Sequence, residues 1–253
     1  MRRAVLLPGA AAAALLATAA AAQAPRTITF CAATDNLPLS HRDAGVEVEL
    51  ARRLAESLGA TARFEWLEHG ERPGEALPAG RCDAALGAVV DPGTLADGRR
   101  APGIALTTPY YGAGYALIRR ADVAPVRTLA ELGDTRIAVE TESIPIYTLK
   151  QRGNRVYAVH DYDAVVEAVA DGRADYGYLW GPLASWLLRD RSDVVLAPEF
   201  EPVERWSFSL ALRESDGALR ERLDAAIRDM VRSGEAARVF GEKGVPYLPP
   251  GER

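Results

Sequence analysis

Short apolar runs rich in β-branched residues alternate along this chain with stretches in which apolar residues recur every three or four positions. Ile28 to Ala33 reads as a first strand, and Asp35-Asn36-Leu37-Pro38 leaves its carboxyl end in a turn. From Gly45 to Leu58, Leu50, Ala51, Leu54 and Leu58 share one helical face, and Gly59 supplies the stop. Thr61 to Leu67 is a second strand, Glu71 to Ala79 a short helix with Pro73 near its start, and Asp83 to Val90 a third strand. A β-α-β-α-β order with short links predicts a parallel sheet covered on both faces by helices.

The same order then repeats. After an extended run from Thr107 to Arg119 and a short helix from Thr128 to Leu132, strands at Arg136 to Glu140, Val156 to His160 and Ala174 to Leu179 alternate with helices at Ser143 to Gln151 and Asp161 to Ala170. Trp180 stands at the carboxyl end of the last of these strands, and Pro182 occupies the first turn of the next helix. Ligand crevices in open α/β sheets lie outside the carboxyl ends of the strands, so this indole points toward whatever the protein holds. Packing of the turn is the alternative role. Asp193 to Ala197 is a further strand, Trp206 to Arg213 alternates as a second extended run, and Leu219, Leu223, Ile227 and Met230 mark a final helix ending at Ser233-Gly234.

Two extended runs are what a chain needs to enter and leave an inserted lobe. The expected fold is α/β and two-lobed, each lobe a mainly parallel sheet flanked by helices, joined by two extended crossings. Lobe one comprises residues 23–112 plus 208–253, and lobe two residues 113–207. The final helix packs back on lobe one.

Residues 1–22 fall outside this pattern. Arg2 and Arg3 precede an uncharged Ala- and Leu-rich stretch that ends in Ala20-Ala21-Ala22, the form of a cleaved secretory signal peptide. Export to the periplasm is expected, with no membrane insertion after cleavage. Without Arg2 and Arg3 the chain carries 28 basic and 35 acidic residues, a net charge of −7, which argues against nucleic acid as a partner. Cys31 and Cys82 lie beside predicted neighbouring strands in an exported chain, so a disulfide is expected. His41, His69 and His160 show no metal-ligand spacing, and no metal or cofactor is expected.

With these segments in hand, the chain resembles the periplasmic solute-binding proteins of family 3, the bilobed type II class. FCAATDNLPLS, GVEVELARRLAESLGA, RCDAALGAVV, LTTPYYGAGYALI, RIAVETES and DGRADYGYLWGPL carry the resemblance in order. Within that family, amino-acid binders of ABC importers end the Trp180 strand in an Asp for the ligand's ammonium and use an Arg, here at Arg100, for its carboxylate. Here Trp180 replaces the Asp, and Glu142 replaces a Gly, although Ser143 keeps a hydroxyl. An unpaired ammonium in a closed cleft costs several kcal/mol, so an ordinary amino acid is a poor fit.

The quinoprotein-dehydrogenase-associated subgroup, the MoxJ/XoxJ type, is more similar in its early cysteine, Asn36-Leu37-Pro38, Cys82-Asp83, Pro109-Tyr110-Tyr111, Trp180-Gly181-Pro182 and the final Gly244-Val245-Pro246. The chain departs from it in having Thr108 and Gly112 where arginines are expected. The resemblance implies a non-enzymatic accessory protein of a pyrroloquinoline-quinone-dependent methanol or alcohol dehydrogenase, with that enzyme or its cytochrome c as partner. The alternatives are the binding component of an ABC importer for amino acids or small organic solutes, with its permease as partner, and a dehydratase-like enzyme on the same fold. No G-x-S-x-G, H-E-x-x-H or Walker loop is present, and Glu140 with Glu142 reads as a pair of solvated loop carboxylates. The expected ligand or partner cleft is formed by Asp35, Asn36, Arg100, Thr108, Tyr110, Tyr111, Glu142, Ser143 and Trp180. Tyr110, Tyr111 and Trp180 are expected to line it together as aromatic rings.

Overall fold

Strand β1 (Thr27–Ala33) opens the first lobe, followed by a two-residue hairpin of β2 (Asp35–Asn36) and β3 (Ser40–His41), helix α1 (Val46–Ser57), β4 (Thr61–Leu67), a single turn α2 (Pro73–Ala76) and β5 (Ala84–Val90). The computed structural model describes residues 27–42, 44–69, 71, 73–90, 102–202 and 204–251. The predicted leader at 1–22, the link at 91–101 and Arg100 lie outside the described residues. β1 pairs in parallel with β4 on one edge and β5 on the other, as the crossover order requires. Ile28, Phe30 and Ala32 turn one face of β1 toward Leu50, Ala51 and Leu54 of α1, while Cys31 faces a smaller cluster with Leu77 and Ala85.

The chain continues through β6 (Ile104–Leu106) and the ten-residue β7 (Tyr111–Arg120) into the second lobe. There β8 (Arg136–Glu140), α3 (Ile144–Gln151), β9 (Arg155–Val159), α4 (Tyr162–Ala170), β10 (Tyr176–Trp180), α5 (Gly181–Leu188) and β11 (Val194–Leu196) follow. β12 (Arg205–Arg213) returns to the first lobe and leads into α6 (Gly217–Arg232) and α7 (Glu235–Glu242). Leu223, Ile227 and Met230 of α6 and Val239 and Phe240 of α7 join the same core as α1. The break at Ser233 and Gly234 is where the apolar period stops, but α7 beyond it is a further helix that the pattern through Met230 did not reveal.

The fold is α/β and two-lobed, with parallel β4-β1-β5 in one lobe and parallel β10-β8-β9 in the other. Two separate sheets were expected, and here the structure differs: hydrogen bonding runs unbroken from β4 to β9. The crossings are themselves strands side by side. β12 pairs antiparallel with β5 and with Tyr111 to Gly114 of β7, while the later half of β7 pairs with β10 and β11. Extended segments running in opposite senses expose complementary N–H and C=O edges, and pairing them satisfies groups that a bare linker would leave open.

Cys31 and Cys82 form the expected disulfide, with Cα atoms 5.5 Å apart. Hydrogen bonds hold its surroundings: Asp83 N–H donates to the Thr29 carbonyl at 2.8 Å, the Thr29 N–H donates to Asp83 Oδ2 at 2.8 Å, and Arg213 Nη1 donates to the Cys82 carbonyl at 2.7 Å. The bridge closes a loop of 51 residues, worth about 4 kcal/mol in the chain-entropy view. Reduction is therefore expected to lower the melting temperature by roughly 10 °C. Calorimetry with and without reductant, with thiol labelling in denaturant to confirm the redox state, checks this. Equal melting temperatures contradict it.

Candidate functional site

Alternation along β10 places Tyr176, Tyr178 and Trp180 on one face, and Trp180 lies directly opposite Tyr115 of β7 in the antiparallel register. Alternation along β12 places Trp206 and Phe208 on a common face. These strands bring four rings together: Trp180 lies 5.8 Å from Tyr115, 5.7 Å from Trp206 and 6.0 Å from Phe208 between ring centroids. Tyr115 meets Trp206 edge-on at 5.6 Å. Such tilted and edge-to-face pairs add roughly 0.5–1.5 kcal/mol each beyond burial, so the cluster holds its own shape.

The rings floor an open cleft of about 390 Å³. Asn36, Leu39, Gly87 and Val89 line it from the first lobe, and Ile144 lines it from the start of α3. Val89 and Ile144 are 48% and 53% exposed, and both stand at this opening. Among the described lining residues there is no carboxylate, ammonium or guanidinium. The Tyr115 hydroxyl is held neutral, its pKa pushed up to about 12 chiefly by burial and further by Tyr162, Glu204 and Glu140.

A second cavity of about 230 Å³ adjoins the cleft and shares Asn36 and Gly87 with it. Its polar lining includes Asp35, Glu68, His69 and the fully buried Glu47. Glu47 accepts a hydrogen bond from the Tyr110 hydroxyl, which in turn accepts one from the Gly87 N–H at 3.1 Å. Gly87 is free to do so because the β5–β12 register slips beside it and its φ is +72°, the left-handed bulge conformation that favours glycine. Burial raises the Glu47 pKa to about 7, against the lowering effect of the Tyr110 bond.

The structure brings only some of the expected site residues together. Asn36 and Trp180 line the aromatic cleft, and Asp35 lines the adjoining cavity, 3.3 Å from His69. Tyr110 and Tyr111 do not line the cleft, which corrects the expectation. Tyr110 is wholly buried on Glu47, and Tyr111 is packed among Phe208, Phe240 and Tyr247 with its hydroxyl on the Pro246 carbonyl at 3.1 Å. Both rings follow a proline turn into the core because α1 and α7 offer buried partners there. Thr108 lines neither cavity; its N–H donates to Asp224 Oδ1 at 2.5 Å on α6. Ser143 is buried and its hydroxyl donates to the Glu140 carbonyl at 2.7 Å, while Glu142 is exposed beside it. Tyr115, Trp206, Phe208, Val89 and Ile144 were not among the expected cleft residues. The W-x-F alternation of residues 206 to 208 was the available signal for two of them. Among the described residues, no group of three or more His, Cys, Asp or Glu converges as a metal site, and no helix is long and apolar enough to cross a membrane.

The family of bacterial extracellular solute-binding proteins, family 3, matches residues 28–242. A protein named MoxJ from Methylorubrum extorquens is 27% identical over 92% of this chain and 87% of its own length. The unliganded open L-cystine receptor of Neisseria gonorrhoeae shares the fold with a TM-score of 0.75, at 18% identity over 90% of this chain and 96% of the other. MxaJ from Methlophaga aminisulfidivorans MPT does so with a TM-score of 0.63, at 22% identity over 87% of this chain and all of the other.

Glu47 gives the site a measurable pH response. A carboxyl raised from 4.5 to about 7 in the fold contributes stability that is complete below pH 4.5 and is lost as pH rises through about 7. The loss is on the order of 3 kcal/mol. Glu47→Gln, which still accepts the Tyr110 bond, is expected to flatten the profile, and urea unfolding at pH 4.5 and 7.5 checks it. Parallel profiles for the two proteins contradict the assignment.

Proposed function

The chain belongs to the bacterial extracellular solute-binding proteins, family 3, and from that premise we propose that it serves a pyrroloquinoline-quinone-dependent methanol or alcohol dehydrogenase as a non-enzymatic periplasmic accessory protein. The site is the aromatic cleft, and its occupant is a segment of the dehydrogenase or of its cytochrome c. Lobe one is residues 23–112 with 208–253, lobe two is residues 113–207, and the paired crossings are the hinge.

The observation that carries this reading is the floor of four mutually packed rings, with no ionised group among the described residues that line the cleft. A solute site envelops most of its ligand and meets each charge with a partner. This cleft instead is open and filled at its base by its own side chains, with exposed Val89 and Ile144 at its lips. Buried tryptophan and tyrosine ringed by apolar residues are the usual centre of a protein contact. The similarity to MoxJ over nearly the whole chain supports the partner class. An importer role for amino acids would need a counter-charge for the α-ammonium, which the described lining does not supply.

Trp180→Ala is expected to weaken association with the quinoprotein dehydrogenase of the same organism by about 2 kcal/mol, roughly thirtyfold in Kd, measured by biolayer interferometry. Unchanged affinity together with a lowered melting temperature would make the indole packing alone and overturn the proposal.

A further inference from the structure

Beyond α7 the described residues stay on the molecule. Gly244 turns it back, Val245 plugs the first-lobe core at 2% exposure, and residues 246–251 then cross the two hinge strands. The Tyr247 hydroxyl donates to the Tyr110 carbonyl at 3.2 Å, and its ring packs on Tyr111 and Phe240. The Gly112 N–H donates to the Leu248 carbonyl at 2.8 Å, on the edge of β7 that faces away from β12. Arg205 Nη2 donates to the Pro249 carbonyl at 3.4 Å, and the Gly251 N–H donates to Ser207 Oγ at 3.0 Å. Gly112 and Ser207 are opposite each other in the β7–β12 ladder. One short segment therefore bonds both crossings at the same level.

The seat is shaped for it. A Cβ on Gly112 would lie 2.5 Å from the Pro249 oxygen and 3.1 Å from the Leu248 oxygen, so glycine is required there by the tail itself. Beneath the segment is a hollow of about 370 Å³ lined by Tyr115, Pro182, Phe200, Pro202, Tyr247 and Leu248. On that side the crossings are held by the tail's hydrogen bonds and by the Tyr247 ring packed on Tyr111.

We propose that residues 246–251 form a strap that holds the two crossings in register and limits the swing of one lobe on the other. This inference rests on the division into two lobes hinged at the crossings, not on the identity of the partner.

Gly112→Ala tests it, because the atoms its methyl group meets belong to the tail. A second variant ends the chain after Val245 and removes the strap outright. Spin labels on cysteines introduced at Arg63 of β4 and Arg155 of β9, exposed positions on the two outermost strands, report the distance between the lobes. The native cysteines are bonded to each other and take no label. In the wild type one narrow distance distribution is expected. In both variants the distribution is expected to broaden or shift, and exchange of the amide at position 112 to accelerate about tenfold or more. If Gly112→Ala leaves that amide protected, the truncated chain decides. A truncated chain with the wild-type distance distribution, whatever its melting temperature, overturns the strap; unchanged dehydrogenase binding in Trp180→Ala overturns the partner reading and leaves the strap standing.

Discussion

The short antiparallel pairing of β7 with β12 is the constraint on which the remaining architecture depends. Four residues on each side, Tyr111 to Gly114 and Arg205 to Phe208, join the lobes by backbone hydrogen bonds. Because side chains alternate along both strands, this register also decides which rings meet: Trp206 and Phe208 from one crossing and Tyr115 from the other reach Trp180. A slip of one residue would turn each ring to the opposite face. The junction of the crossings, the aromatic floor and the tail seat are thus set by one ladder.

The chemistry of the two adjoining cavities divides cleanly. Around Trp180 the protein spends its polar groups on itself: the Ser143 hydroxyl is on the Glu140 carbonyl, and the Tyr178 hydroxyl donates to Glu204 at 2.8 Å. Groups that another chain of this fold could direct at a small polar ligand are therefore satisfied internally. Beside it, Glu47 and Tyr110 form a buried acid pair whose bond reaches from α1 to the residue just before β7. That pair ties the first lobe to the start of a crossing, and burial makes its proton part of the fold's stability.

Much of this was legible in the sequence because each layer repeats a local signal. The β-α order, the glycine stops and the neighbouring strands of Cys31 and Cys82 depend on nearby residues, and they were read correctly. Trp180 was legible for the same reason, since a strand followed by Gly181-Pro182 has an identifiable carboxyl end. Tyr110 and Tyr111 were misplaced because the direction of their rings is set by α1 and α7, far away in sequence. The pairing of the crossings was missed as well: two extended runs are visible, but which edges they offer each other depends on how the lobes are placed. Gly112 shows the limit most plainly, since nothing in its surroundings along the chain announces that Pro249 will rest on it.

The central claim is that the open aromatic cleft is a contact surface for a protein of the quinoprotein dehydrogenase system. Photo-crosslinking from the cleft lip tests it most directly, with a benzophenone side chain replacing Ile144 and, as a control on the outer strand, Arg155. In the native periplasm the account predicts a crosslink from position 144 to the dehydrogenase or its cytochrome c, and none from position 155. Absence of any protein crosslink at 144, or equal yields from both positions, would contradict it.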